Sequence, residues 1–273
     1  MSYCADRNGY KAITTLGTGA VGFVTEVVCV KGPQTDKHFA LKTVTLRDHW
    51  YRECVALWSL LGMEGVPVLY AAWWDLASGF GYILMDVVPG REVFDLVWSP
   101  MKPHDCFTIV IAFLEIVFAT HARGWVNRDL KLENVLYDSE TGKVTLVDWD
   151  TACPVNSRKP QNHNIVGTTN LLAPETHQFK MVGDVRWTGA YLDHYSAAQF
   201  LLEVLLPSSK SIKFRTGIHN IRGIREACGE VPEGLSKILV DLPDHAVRPR
   251  ERGVWLLRVY ADLVRMFREM KGK

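Results

Sequence analysis

The first ninety residues carry short runs of apolar and β-branched residues, the pattern of strands that bury one face of a sheet. Such runs cover residues 12–16, 23–30, 39–46, 68–74 and 82–86, and turn residues such as Gly32-Pro33 and Ser78-Gly79 separate them. Residues 47–61 interrupt the series, because their apolar positions recur at helical spacing. This part of the chain therefore predicts a small antiparallel sheet with one helix.

Helical spacing dominates after residue 89. It predicts helices over residues 105–123, 193–206 and 252–270, with a short one at 94–98 and two short strands at 135–137 and 144–147. The apolar run at 108–119 contains Glu115 and is too short to span a bilayer, so we predict a buried helix. Pro89-Gly90 interrupts the apolar pattern, and we place a hinge at 86–89. The chain is therefore predicted to be α+β, with lobes at 1–87 and 88–273.

Composition excludes several classes of partner. The 273 residues carry a net charge of +1, so no basic field favours nucleic acid or an anionic membrane. The six cysteines are scattered without a C-x-x-C pair, which argues against zinc. The N-terminus has no apolar signal core, and residue 2 is Ser rather than the Gly of a myristoylation site. We therefore expect reduced thiols and an intracellular protein, either cytoplasmic or nuclear.

A glycine-rich loop and a lysine form the first candidate site. Gly17, Gly19 and Gly22 make a G-x-G-x-x-G pattern whose backbone N–H groups could approach phosphate oxygens. A β-branched strand follows the loop, which indicates a flap between two antiparallel strands rather than the start of a dinucleotide-binding helix. Lys42 follows the apolar residues Phe39-Ala40-Leu41 in the third predicted strand. Glu53 on the predicted helix could pair with it.

A second candidate site lies in the stretch W-V-N-R-D-L-K-L-E-N at residues 125–134. It places Asp129, Lys131 and Asn134 at fixed offsets, and Asp148 follows in a second acidic cluster after an apolar run. Two carboxylates and an amide on loops can orient a hydroxyl group and hold a divalent metal ion. Phosphoryl transfer needs that combination, because the protein contributes mainly positioning and charge neutralisation.

These motifs, in this order, resemble the signature set of the eukaryotic protein kinase family over nearly the whole chain. The resemblance implies a bilobal fold with a sheet-rich N-lobe, a mainly helical C-lobe and an ATP cleft between them. It implies that Asp129 and Lys131 are catalytic and that Asn134 and Asp148 bind Mg²⁺. It implies ATP contacts from Leu16, Gly17, Gly19, Gly22, Val24, Ala40, Lys42, Glu53, Met85 (the gatekeeper), Asp86, Val88, Glu92 and Leu136.

The resemblance also implies a class of substrate. Lys131, two residues after Asp129, matches the Ser/Thr form of the loop, as does Thr168. Glu92 and Glu133 stand where basophilic members contact a substrate arginine or the ribose, so we expect a protein substrate with basic residues near the acceptor.

Other positions match structural or regulatory residues of the family. Asp193 would brace the catalytic-loop backbone, and Glu175 would pair with Arg248. Arg128 could pair with a phosphate on the activation segment. The candidate phosphorylation sites are Thr151, Ser157, Thr168 and Thr169, with Ser157 preferred.

Three residues depart from the family pattern. Asn127 replaces a histidine and is expected to keep hydrogen-bond donors, Trp149 replaces a phenylalanine and is expected to fill the same apolar pocket, and Asp150 replaces a glycine that permits positive φ. Asn127 and Asp150 support a pseudokinase that binds nucleotide or scaffolds other proteins as the alternative function. A small-molecule kinase is a third reading, against which the segment around Ala173-Pro174-Glu175 argues.

The chain is also shorter than the family pattern in two places. Lys42 and Glu53 are only about eleven residues apart, and the C-lobe after Asp193 is lean. A compact kinase of this kind fits either dependence on an unknown activating partner or a minimised viral version, and the sequence leaves both open.

Overall fold

The computed structural model describes residues 7–155, 173, 189–206, 221–242 and 252–272. The chain divides into two compact units. Unit 1 comprises Met1–Pro89 and Val147–Ala152, and unit 2 comprises Gly90–Leu146 and Cys153–Lys273. The first division lies close to the one expected after residue 87, but the sequence did not predict that the short segment Val147–Ala152 belongs with unit 1.

Unit 1 is built on a five-stranded antiparallel sheet in the order β1-β2-β3-β5-β4. The strands are β1 (Tyr10–Gly19), β2 (Gly22–Cys29), β3 (His38–Val44), β4 (Leu69–Asp75) and β5 (Phe80–Met85). One face is covered by a core of Val27, Cys29, Phe39, Leu41, Tyr82 and Leu84, with Tyr10, Tyr70 and Trp73 packed beside it. These are alternate positions along each strand, as the period of two requires. The predicted sheet is confirmed.

The helix of unit 1, α1 (Arg47–Ser59), follows β3 after only Thr45 and Leu46. Its first turn is fixed by Trp50, whose indole nitrogen donates to the Tyr82 carbonyl oxygen at 3.1 Å. Trp50 and Trp74 form an edge-to-face pair with ring centroids 5.7 Å apart, and a Cβ at Gly81 would lie 2.5 Å from the Trp50 ring. Only glycine at residue 81 therefore lets α1 lie this close to β5.

Unit 2 is mainly helical. Its helices are α2 (Val93–Leu96), α3 (Pro103–Ala122), α4 (Ala190–Leu205), α5 (Ile221–Cys228), α6 (Glu233–Val240) and α7 (Arg252–Lys271). Its short strands are β6 (Arg91–Glu92), β7 (Trp125–Val126), β8 (Val135–Asp138), β9 (Lys143–Leu146) and β10 (Cys153–Pro154), which form a β6-β8-β9 sheet and a β10-β7 pair. Helix α3 packs against α4, α7, β7 and β9, and Phe113 of α3 stacks on Phe200 of α4 at 3.8 Å.

Helix α3 is also the one helix, within the described part of the chain, that is long and apolar enough to cross a membrane by length and composition alone. The core helix of a folded domain meets the same criterion. Ile109, Val110 and Phe113 have no exposed surface, and Ile116 and Val117 are also buried. The side chains of α3 therefore form the centre of unit 2, as the sequence predicted.

Candidate active site

The glycine-rich motif forms the hairpin between β1 and β2. Gly19 pairs with Gly22 across the hairpin, and Ala20 and Val21 make the turn, so the motif is a flap between antiparallel strands, as predicted. A Cβ at Gly22 would lie 1.9 Å from the Thr43 carbonyl oxygen, whereas Gly17 has no atom within 4 Å of that position. Gly22 is therefore required by the fold, and Gly17 keeps its backbone open to a ligand.

Lys42 lies at the centre of the candidate phosphate site of unit 1. Its Nζ lies 2.7 and 2.8 Å from the two Glu53 carboxylate oxygens and 2.8 Å from Asp148 Oδ1. Burial disfavours the ammonium charge, but the carboxylates of Glu53, Asp148 and Asp150 outweigh it and raise the pKa of Lys42. Burial raises the pKa of Glu53, and Lys42 opposes that shift. The predicted Lys42–Glu53 pair is present, and Lys42 carries its charge at neutral pH.

The acidic segment after β9 has one residue of positive φ. That residue is Asp148, at 64°, while Asp150 is not among the residues of positive φ in the described chain. Asp150 therefore replaces the family's glycine without taking the left-handed conformation that an aspartate adopts only rarely. Trp149 is fully buried, and Asp150 is 7% exposed with its Oδ2 2.8 Å from His49 Nδ1. Sequence reasoning missed the His49 contact.

The predicted adenine contacts lie at the end of β5 and on β3. Met85 pairs with Ala40 across the sheet, and both side chains are buried. Asp86 N–H donates to the Val68 carbonyl oxygen at 3.3 Å, and Asp86 Oδ1 accepts from Val68 N–H at 2.6 Å. The Asp86 N–H is thus already engaged, so a contact of Asp86 with adenine would come from its carbonyl oxygen. Val88 follows in half-buried, non-regular backbone.

In unit 2, Glu92 pairs with Leu136 across β6 and β8. Glu92 is half-buried, and its pKa is raised by burial and then by the carboxylates of Asp95 and Glu133, with Lys131 opposing. Three carboxylates near one lysine give this end of β6 a negative potential.

The catalytic-loop candidates lie together in unit 2. Lys131 Nζ lies 2.6 Å from Asp129 Oδ2. A single 3₁₀ turn, Leu132–Asn134, brings Asn134 back, so that its Nδ2 donates to the Asp129 carbonyl oxygen at 2.9 Å and to Asp129 Oδ2 at 3.2 Å. Since the amide nitrogen of Asn134 is used toward Asp129, its amide oxygen is the atom directed to a ligand.

Asp193 on α4 holds the start of this loop. Its two carboxylate oxygens accept from the backbone N–H groups of Asn127 and Arg128, each at 2.8 Å, and Oδ2 also lies 3.0 Å from His121 Nε2. Burial opposes the charge of Asp193, but His121 and the two backbone donors lower its pKa. Asp193 therefore braces the loop backbone, as the resemblance implied, and Arg128 takes φ 71° beside it.

Asn127 has a role that the sequence did not predict. Its side chain is buried, and its Oδ1 accepts from the Asp129 N–H at 3.0 Å. The acceptor oxygen thus fixes the backbone of Asp129, a role that the neutral amide fills without any change of protonation.

The residues fit the Mg²⁺ that the family implies. No group of three or more His, Cys, Asp and Glu residues that could hold a metal ion occurs among the described residues. Mg²⁺ does not require such a group, because it is usually held by one or two carboxylate or amide oxygens together with phosphate and water. The amide oxygen of Asn134 and the carboxylate of Asp148 are hard oxygen donors of that kind.

Several sequence expectations fall outside the described residues: Ser157, Gly167, Thr168, Thr169, Pro174, Glu175 and Arg248. Two neighbours are described. Ala173 is buried, and Thr151 is 7% exposed, so its hydroxyl is not accessible to a kinase in this conformation. Of the candidate phosphorylation sites, Thr151 is therefore the one that the structure disfavours.

Comparison with known proteins agrees with this geometry. A family model described as protein kinase domain matches residues 10–235. The chain is 29% identical to human citron Rho-interacting kinase over 67% of its length, and 26% identical to rabbit Rho-associated protein kinase 1 over 72%. It is 27% identical over 51% of its length to the meiosis-specific serine/threonine-protein kinase MEK1 of Saccharomyces cerevisiae. The matches span 10%, 15% and 29% of those relatives. The chain belongs to the protein kinase family.

Proposed function

We propose that this chain is an ATP-dependent protein kinase that transfers the γ-phosphoryl group to Ser or Thr hydroxyls of protein substrates. The observation that carries the proposal is Lys42, a buried ammonium held within 2.8 Å of both Glu53 and Asp148. A cation fixed in this way is suited to the phosphate oxygens of a nucleoside triphosphate. Membership of the protein kinase family indicates that the reaction is phosphoryl transfer.

Unit 1 would bind the nucleotide. Lys42 would contact the α- and β-phosphates, and the backbone at Gly17 and Gly19 would cover them. The apolar walls around the adenine would come from Leu16, Val24, Ala40 and Met85, and its backbone hydrogen bonds from Asp86 and Val88. These residues bind and orient, which is most of what the protein contributes to phosphoryl transfer.

Unit 2 would act on the acceptor. Asp129, whose backbone is fixed by Asn127 and Asn134, would orient the substrate hydroxyl and accept its proton. Lys131 would neutralise charge on the transferring phosphoryl group. Asn134 and Asp148 would each act as a Mg²⁺ ligand, and Mg²⁺ would supply further neutralisation of the phosphates.

Ser/Thr specificity and a basic substrate preference are the finer parts of the proposal. Lys131 supports the first, as does the similarity to the yeast relative, which is named a serine/threonine-protein kinase. The carboxylates of Glu92, Asp95 and Glu133 support the second, because their mutual repulsion would be relieved by a substrate arginine. Peptides with and without arginine upstream of the acceptor test this preference, and equal kcat/KM values would remove it.

A pseudokinase is the competing function, and it is favoured by Asn127 and Asp150. Both departures keep partners in the fold, since Asn127 binds Asp129 N–H and Asp150 lies beside His49. The four residues on which chemistry and metal binding depend, Lys42, Asp129, Asn134 and Asp148, are all present. We therefore place the active enzyme first.

The deciding experiment uses labelled ATP, Mg²⁺ and a basic protein substrate, with Asp148→Asn as the matched variant. We expect transfer to Ser and Thr in the wild type and its loss in the variant. A rise in melting temperature with ATP and Mg²⁺ but no transfer would instead establish the pseudokinase. The absence of both transfer and a thermal response would contradict the active enzyme and the nucleotide-binding form of the pseudokinase.

A further inference from the structure

Asp150 is an ionisable residue that is almost fully buried, at a position where the family pattern has glycine. Its backbone is not among those of positive φ in the described chain, so the fold does not need glycine there. Its carboxylate Oδ2 lies 2.8 Å from His49 Nδ1. A buried carboxylate is costly unless it is hydrogen-bonded, so Asp150 is tolerated because His49 donates to it.

His49 lies in the first turn of α1, and Glu53 follows four residues later. Residues i and i+4 lie on the same face of a helix, about one turn apart. Glu53 contacts Lys42, and Lys42 contacts Asp148. Helix α1 is therefore tied to the segment Val147–Ala152 at two points: directly through Asp150, and through Lys42 at Asp148.

Two links one turn apart restrain a helix more than one does. With a single link at Glu53, α1 could pivot about that residue and carry its carboxylate away from Lys42. A second link at His49 removes this freedom, because rolling or sliding the helix would break one of the two. The first turn has no side-chain cap at Leu46, so tertiary contacts of His49 and Trp50 hold it instead.

We propose that His49 and Asp150 are positioning residues, whose hydrogen bond holds α1 against Val147–Ala152 so that Glu53 and Asp148 both stay on Lys42. The inference rests on the proposed function, in which Lys42 and Asp148 bind phosphate and magnesium. His49 and Asp150 are assigned no contact with the nucleotide in the proposed function; they act by keeping Glu53 and Asp148 on Lys42.

The test is a double-mutant cycle of His49→Ala and Asp150→Gly, with His49→Asn as the conservative variant. The amide nitrogen of Asn can take the place of Nδ1 and donate to Asp150. The control is His38→Ala, which removes a histidine paired with a carboxylate, Glu26 at 2.6 Å, on the strands rather than on α1. His49 is 22% exposed, so its replacement is expected to leave the chain folded.

Two readouts are measured. Amide hydrogen exchange in α1, on the chain without nucleotide, should quicken about 10-fold in each single variant and no further in the double variant. The kcat should fall about 10-fold in the same variants while KM for the protein substrate stays unchanged. His49→Asn should restore both values, and His38→Ala should match the wild type.

The outcomes separate the two hypotheses. Wild-type exchange and kcat in His49→Ala and Asp150→Gly, with an active wild type, would overturn the positioning role and leave the proposed function standing. Independent effects that multiply in the double variant would also overturn it. A wild type that transfers no phosphoryl group would contradict the proposed function, and would reduce the pair to a structural contact whatever the exchange pattern.

Discussion

In unit 1 the candidate phosphate-binding residues are held by one another's charges, whereas in unit 2 the catalytic loop is held by side chains that bind its backbone. Lys42 lies between the carboxylates of Glu53 and Asp148. Asp129, in contrast, follows a turn whose N–H groups are bound by Asp193 and Asn127.

The difference concerns which contacts can change when a substrate binds. A charged side chain can exchange one partner for another, and the phosphates of ATP would compete for Lys42 with the carboxylates around it. Backbone N–H groups bound by buried acceptors have no such alternative. The backbone of the unit 2 loop is therefore fixed before any substrate binds, while the proposed phosphate site in unit 1 is expected to rearrange on binding nucleotide.

The largest expected effect is on catalysis, and substitutions in the two units should change different kinetic constants. Asp129→Asn keeps the shape of the side chain but loses the proton acceptor, so kcat should fall about 10³-fold with little change in KM for ATP. Lys42→Met should instead raise KM for ATP as well as lower kcat. Steady-state kinetics at several ATP concentrations measure both constants. A change in KM alone for Asp129→Asn would break the assignment of chemistry to unit 2.

The second prediction compares stability. Asp193→Ala would leave the N–H groups of Asn127 and Arg128 without their acceptor, at a cost of about 3 kcal/mol in the free energy of unfolding. Glu53→Gln keeps an oxygen near Lys42, which also retains Asp148, so the cost should stay below about 1 kcal/mol. Urea unfolding followed by tryptophan fluorescence compares the two variants. Equal decreases in the free energy of unfolding would show that the two kinds of contact stabilise their units equally.

The third prediction concerns the loss of stability at low pH. Burial lowers the pKa of His194 to about 4, helped by His121 and Arg252 and opposed by Asp193. The unfolded chain has the ordinary value near 6.5, so it takes up the proton first as pH falls. The stabilising contribution of neutral His194 is thus fully present above pH 6.5 and is lost toward pH 4.

That loss should amount to about 3 kcal/mol. The melting temperature of the wild type should fall between pH 7 and pH 4.5 more steeply than that of His194→Gln, which cannot titrate. Parallel curves for the two proteins would mean that another group sets the acid limit of unit 2.

The sequence predicted most of unit 1 because its signals are local. Strand alternation, the glycine hairpin and the lysine each depend on neighbouring residues, and the Lys42–Glu53 pair needs only one strand and one helix. The His49–Asp150 contact was not predicted, because it joins residues far apart in the chain. The available signal was that His49 precedes Glu53 by one helical turn and Asp150 follows Asp148 by two residues.

Backbone geometry was predicted less well than side-chain identity. The positive φ of Asp148 was not predicted, because residue type alone does not show which of two nearby aspartates takes that conformation. The bracing role of Asp193 was predicted through the family pattern, since a buried aspartate at a helix start otherwise indicates an N-cap.

The membership of Val147–Ala152 in unit 1 has a consequence for synthesis on the ribosome. When Pro89 has been made, Lys42 and Glu53 are already present, but Asp148 and Asp150 are not. At ordinary translation speeds they follow roughly 3–12 s later, after the intervening part of unit 2. A nascent chain that stops at Leu146 lacks both carboxylates, so Lys42 has Glu53 without Asp148, and His49 has no Asp150 to bind. Unit 1 is thus finished only when part of unit 2 has already been translated.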